Sequence, residues 1–522
     1  MRSCIQKISK RMIAAALGCS FATASWLTFG GDPQRSGWAK DETAITKESV
    51  KRLELDWKMK FDNVPKELNA LTVPIVIEPV YTAHGAENYV IVGGSSDNLY
   101  AVDAETGKMV WQKHFSNEAP PPTGFMNEGY YFCPNALNDT PVIGSRWPAG
   151  ATVYVISIDG KLHALNVVTG EDRFPPKQFV PAYSKNWSLN LVGDVIYTST
   201  SQGCNSSKSG VWAMDLASPE KSVSFFKTDP FGGGVWGRGG PSVDAKGSVY
   251  AATGDGPLDP ASGKYGDTVV ALSARDLKVL DYYAPANVEY LTKKDLDMGN
   301  TTPTLFNYKG RELLVASGKE GALFLLDRKS LGGDTHRKPL FRSLLYANEG
   351  ADIAGHGFWG GFATWEDAKG VRWLYAPAWG PMHSKATAFP ITNGEAPHGS
   401  IMAFRVEDKE GQPVLTPAWI SHDMNVPEPP VIVNGVVFSI SSGEFIRQIK
   451  DDGTLYTGKE REQAAVGNAT LYAFDAETGK ELFSSGKTMP SFTHMGGLAV
   501  SDGRIFATTH DSTLYAFGLK AQ

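Results

Sequence analysis

Cysteine is scarce: the 522 residues hold four, and two of them, Cys4 and Cys19, fall within the first 25. With so few thiols, and with ten scattered histidines, no stretch has the ligand spacing of a zinc site. CxxCH is absent, which excludes a covalently attached c-type haem, and neither GxSxG nor a P-loop occurs. Positive charge is also short. Fifty Lys and Arg face 56 Asp and Glu and form no basic stripe, which argues against a nucleic-acid partner. Beyond the first 25 residues no apolar run is long enough to be a transmembrane candidate.

The first stretch, "MRSCIQKISKRMIAAALGCSFATAS", has four basic residues, a short apolar run from Met12 to Phe21, and small residues at Ala22 and Ala24. That is the layout of a secretory signal over residues 1–24, cleaved after Ala24. Acylation at Cys19 is the rival reading, though Ala16 stands where a larger aliphatic is expected. Loss of residues 1–24 removes Arg2, Lys7, Lys10 and Arg11 and no acid, so the formal charge moves from −6 to −10. Either leader sends the chain to the periplasm or outside the cell. Cys133 and Cys204 then remain alone in an oxidising compartment, where a disulfide is expected.

What is abundant is turn chemistry: 55 glycines and 31 prolines, with 42% hydrophobic residues. "NLYAVDAETGKMVW" (98–111) and "TLYAFDAETGKELF" (470–483) are near-copies. Related tripeptides begin at Tyr100, His163, Trp212, Val270, Phe324, Met402, Tyr472 and Tyr515, at spacings of 43 to 78 residues. Each follows a more apolar strand, and each interval has room for four short strands. The pattern predicts an all-β fold: an eight-bladed β-propeller of four-stranded antiparallel blades, in one domain over residues 25–522. The last marker leaves no residues for a fourth strand, whereas "LELDWKMKF" (53–61) has no blade of its own. The N-terminal strand is therefore expected to close the ring.

Lettering each blade A to D from the axis outward puts the A–B and C–D turns on one face and the B–C and D–A loops on the other. The second face receives nearly all the long loops, and long loops of this kind carry function. It collects Trp236, Arg238, Asp255, Asp295, Asp297, Lys319, His356 and Trp359, and it places Cys133 and Cys204 in neighbouring blades. An arginine, a lysine and several carboxylates about one axis suit an anionic ligand or a divalent cation.

"WLTFGGDPQRSGW", the "LYAVDAETGK" units, "WGRGGPSVDAKGSVYAATGDG" and "ASGKEGALFLLDR" together resemble the pyrroloquinoline quinone (PQQ) repeat proteins, especially the quinoprotein alcohol dehydrogenases. The resemblance implies PQQ near the axis, a calcium or lanthanide ion, an aspartate base and an alcohol-like substrate. By it Lys319 lies against the quinone oxygens, Asp255 takes the place of a metal-binding Asn, and Asp297 or Asp295 is the base. Arg238, Trp236 and Cys204 are the further candidates for contact with the cofactor. Three features depart from the pattern. The vicinal cysteine pair is absent, the metal-binding Glu is replaced around Gln202–Cys204, and the floor tryptophan is replaced by Pro241, Ser242 and Val243. The same repeats occur in non-catalytic propellers similar to the outer-membrane-protein assembly lipoprotein. A loop face that binds a protein partner is thus the alternative implication.

Overall fold

The computed structural model describes residues 24–123, 131–146, 150–228 and 233–520; the expected leader, apart from Ala24, lies outside them. Eight antiparallel sheets follow one another along the described chain, each with four principal strands that run in sequence order from the axis outward except in the last, whose outermost strand comes from the N-terminal side. In blade 1 these are Ile75–Thr82, Gly85–Gly94, Asn98–Asp103 and Met109–His114. Every tripeptide marker falls in a third strand, and the two near-copies lie in blades 1 and 7. Short apolar strands with buried faces explain the core, which runs as clusters between successive blades. Among the described residues, no helix is long and apolar enough to cross a membrane.

The ring closes as expected. Leu53–Lys60 pairs antiparallel with Thr513–Leu519, from Leu53 opposite Leu519 to Lys60 opposite Thr513, and completes blade 8. The repeated turn has a second purpose beyond its left-handed glycine. Gly107, Gly170 and Gly479 all have positive φ, and each lies under the indole of a tryptophan from the preceding blade: Trp57, Trp111 and Trp419. Those indoles donate their N–H to the carbonyls of Ala104, Val167 and Ala476 at 2.8–3.0 Å. A Cβ at any of the three glycines would strike the ring. Propensity alone is therefore an incomplete account of these glycines, because they also let one blade lock onto the next.

The segment Trp26–Ala39 fills the axis and bonds to the innermost strands of blades 1 to 7 in turn. The carbonyls of Trp26, Leu27, Pro33, Gln34, Ser36 and Gly37 accept from the N–H of Val76, Ile143, Val243, Leu305, Thr364 and Ile432, in blades 1, 2, 4, 5, 6 and 7. Blade 3 is reached by Asn190 Nδ2, which donates to the Pro33 carbonyl at 2.9 Å; just beyond the segment, Glu42 accepts from the Gly503 N–H in the first turn of blade 8 at 2.8 Å. The buried Arg35 pins the turn of this segment through Thr28 Oγ1 and the Phe29 and Leu189 carbonyls.

Cys133 and Cys204 are bonded, with Cα atoms 5.5 Å apart. The link joins the loop between blades 1 and 2 to the B–C loop of blade 3, and both loops are on the face expected.

Candidate functional site

The long loops enclose one cavity of about 770 Å³ on that face. One wall is built by blades 3 to 5. Asp255 follows strand B of blade 4, and Asp295 and Asp297 follow the short helix α1 (Val288–Lys294) between blades 4 and 5. Lys319 sits in the tight B–C turn of blade 5. Asp295 ends α1 in the left-handed region at φ 53°, a conformation that aspartate tolerates, and its N–H bonds to the Leu291 and Thr292 carbonyls. The loops are then stitched together: Gly254 N–H to the Gly234 carbonyl at 2.9 Å, and Lys319 N–H to the Asp297 carbonyl at 3.0 Å. Gly254 and Gly318 permit this, since a Cβ on either would overlap Asp297.

The result is a compact charge cluster. Lys319 Nζ bonds Asp297 Oδ2 at 2.6 Å and Asp295 Oδ1 at 2.7 Å, and the Asp255 N–H donates to Asp297 Oδ1 at 2.7 Å. Oxygens of Asp255, Asp295 and Asp297 all lie within 4.8 Å of one another. Such a set of carboxylate oxygens suits a hard cation. Burial, followed by the Asp297 charge, pushes both Asp255 and Asp295 up to about 7. Asp297 goes the other way. Burial alone would raise it, but the Lys319 ammonium and its hydrogen bonds hold it well below the usual carboxylate range. Behind the cluster the fully buried Asp267 accepts from Thr292 Oγ1 at 2.7 Å and from the Met298 N–H at 3.1 Å, fixing the loop that carries Asp297.

The sign of one pH effect follows. Asp255 keeps its proton to about 7 in the folded chain, against about 4 when unfolded, so its ionisation costs stability that grows from about pH 4 to pH 7. With chelator present, Asp255→Asn is therefore expected to be more stable than wild type at pH 8, with the gap closing towards pH 5. Urea midpoints at the two pH values check this, and a deficit for the variant that is equal at both contradicts it.

Aromatic side chains form the adjoining surface. Trp236 meets Trp359 edge-on at 5.3 Å, Trp359 stacks on Trp379 at 4.4 Å, and all three line the cavity. Lys319 Nζ stands 5.2 Å from the Trp236 ring. Where the sequence departs from the family's floor tryptophan, blades 3 and 6 thus supply indoles from other positions.

Five of the seven residues expected to form the site, Trp236, Asp255, Asp295, Asp297 and Lys319, converge on the cavity. The other two stand behind it. Arg238 is only 5% exposed, pairs with the buried Glu428, and lies 5.6 Å from the far indole, Trp379. Cys204 is buried in its disulfide, while its neighbours Gln202 and Gly203 face the cavity. His356 contributes only its carbonyl, which accepts from Trp359 Nε1 at 2.8 Å. Sequence reasoning missed Lys185, Glu444, Arg461 and His494 on the remaining wall. Glu444 accepts from Arg461 at 2.7 Å and pairs with His494 at 2.8 Å.

Residues 26–182 match the family model for the β-propeller domain of glucose, ethanol and alcohol dehydrogenases, designated PQQ. The chain is an eight-bladed propeller whose residues 26–182 are similar to that family. The quinohemoprotein alcohol dehydrogenase of Comamonas testosteroni superposes with a TM-score of 0.58 at 16% identity, covering 97% of this chain and 82% of that one. A europium-containing methanol dehydrogenase gives 0.57 at 14% identity over 93% and 89%. BamB from Moraxella catarrhalis gives 0.47 at 15% identity over 90% and 98%. No curated protein sequence matches the chain. At these identities the two dehydrogenase structures show the propeller fold alone, and the chain's chemistry rests on its own residues.

Proposed function

We propose that this PQQ-repeat propeller is an exported quinoprotein dehydrogenase that oxidises an alcohol or a related small molecule with PQQ and a calcium or lanthanide ion. The observation that carries the reading is the cluster of three aspartates around Lys319 at the wall of the cavity. The donor set fits both groups. Asp255 with Asp295 and Asp297 offers hard oxygen ligands for the cation, Lys319 offers a buried donor to quinone oxygens, and the indoles of Trp236 and Trp359 offer a flat surface. PQQ, when bound, supplies an ortho-quinone that accepts two electrons.

The chain's own contribution is positioning and proton handling. Both oxygens of Asp297 are engaged, by Lys319 and by the Asp255 N–H, so it serves as the fixed anion that orders the cluster. Asp295 is half-exposed and bonds Lys319 through one side-chain oxygen, which makes it the member of the cluster placed to accept the substrate hydroxyl proton. Export is supported by the leader's three-part layout and by the Cys133–Cys204 bond, since disulfides persist in oxidising compartments.

Dye-linked alcohol oxidation after loading with PQQ and Ca²⁺ or La³⁺ tests the reading. Asp295→Asn is expected to lose roughly 10²- to 10⁴-fold in turnover while keeping PQQ bound. Full turnover in that variant removes Asp295 as the base. Loaded wild-type protein that oxidises no member of an alcohol panel overturns the enzyme reading and leaves a propeller whose loop face binds a partner.

A further inference from the structure

The wall away from the aspartates holds a cation that has no counter-ion among the described residues. Lys185, in the first strand of blade 3, is 8% exposed and lines the cavity. Its Nζ donates to the Tyr131 carbonyl at 3.2 Å and stands 5.3 Å from the Trp187 ring. Among the described residues no carboxylate pairs with it. The nearby carboxylate Glu444 offers no relief, because it is already paired with Arg461 and bonded to His494. Burial, with the Arg461 charge next, pushes the Lys185 ammonium down to about 7, as expected of a cation lacking an opposite charge. Ser207 lines the same cavity, and among the described residues its buried hydroxyl has no partner.

Among the described residues the desolvation of this buried ammonium is offset only by the Tyr131 carbonyl and the Trp187 ring, and that of the buried hydroxyl by no partner. We propose that Lys185 and Ser207 form an anion subsite that takes a carboxylate of the molecule bound in the cavity. The inference rests on the reading above only in requiring that the cavity hold a small molecule. It gives that molecule a direction, with its carboxylate at Lys185 and its oxygen-rich end at the aspartates and Lys319. The carboxylate has two chemical sources, a carboxylate of PQQ or a carboxylate on the substrate, which would then be a hydroxy acid.

Calorimetric titrations of the full-length protein distinguish them, with PQQ plus Ca²⁺, lactate, and the redox-inert benzene-1,3,5-tricarboxylate as probes. Lys185→Met is expected to weaken the tricarboxylate by about ten- to a hundredfold, and Lys185→Arg to stay within a few-fold of wild type. The urea midpoint of ligand-free Lys185→Met should be no lower than that of wild type, since the change removes an unpaired buried charge. A parallel loss for PQQ assigns the subsite to the cofactor. Unchanged PQQ binding with weakened lactate binding assigns it to the substrate. Tricarboxylate binding without PQQ binding keeps the subsite and removes the dehydrogenase. The proposal is overturned if Lys185→Met binds every probe as wild type does, or if the wild-type protein binds none.

Discussion

A chain begun at Asp62 is expected to show no cooperative unfolding transition. The deletion removes two structures at once. Leu53–Lys60 is the outer strand of blade 8, and without it Thr513–Leu519 becomes an open edge whose backbone groups lose their partners. Trp26–Ala39 is the segment along the axis, and its loss unpairs backbone N–H groups on the innermost strands of six blades, all away from water. A typical domain is stable by only about 5–15 kcal/mol, and each unsatisfied buried group costs about 1–3 kcal/mol, so the sum exceeds what the ring can lose. Trp57→Ala isolates one part of the effect. It removes the indole lying over Gly107 and the bond to Ala104, and it should cost about 3 kcal/mol while leaving a folded ring. Urea denaturation followed by circular dichroism reads both. A cooperative transition in the truncated chain near the wild-type midpoint contradicts closure as the source of stability.

Asp297→Ala is expected to cost about 3–5 kcal/mol, the range for breaking a buried ion pair by removing one partner. Asp297 is 4% exposed and Lys319 5%, so neither charge has water to fall back on. The substitution leaves Lys319 with Asp295 alone and leaves the Asp255 N–H without its acceptor. Lys319→Met in the same chain removes the stranded ammonium, so the double variant should recover more than half of the loss. A single-variant cost under about 1 kcal/mol, or a double variant no better than the single, contradicts the pairing. The contrast with Asp255→Asn, expected to stabilise the ligand-free protein at pH 8, marks the division within the cluster. Asp297 is held as an anion by its partner, and Asp255 is held against its preference.

The blade count was legible because each marker sits in a third strand, and the sequence left the closing strand nowhere else to go. The disulfide was legible by arithmetic, once two of the four cysteines were set aside with the expected leader. The wall of blades 3 to 5 was readable because its residues fall within about ninety positions, in loops flanked by glycines. What escaped was what the ring brings together from far apart. Lys185 lies in the first strand of blade 3, Glu444 and Arg461 in one loop of blade 7, and His494 between blades 7 and 8, and none carries a local motif. Arg238 was misplaced for the same reason, since its partner Glu428 lies 190 residues away. The indoles over Gly107, Gly170 and Gly479 belong to the preceding blade, so a turn read alone shows its backbone requirement and hides its neighbour.

The central claim is that the cavity at Asp255, Asp295, Asp297 and Lys319 holds PQQ through a cation. Calorimetric titration of the purified full-length protein with PQQ, with and without Ca²⁺ or La³⁺, tests it most directly. The account predicts one PQQ per chain, bound at micromolar concentration or below only when the cation is present, with Asp255→Ala raising the cation concentration required. PQQ binding that ignores the cation, or no binding of PQQ at several hundred micromolar with either cation, would contradict it.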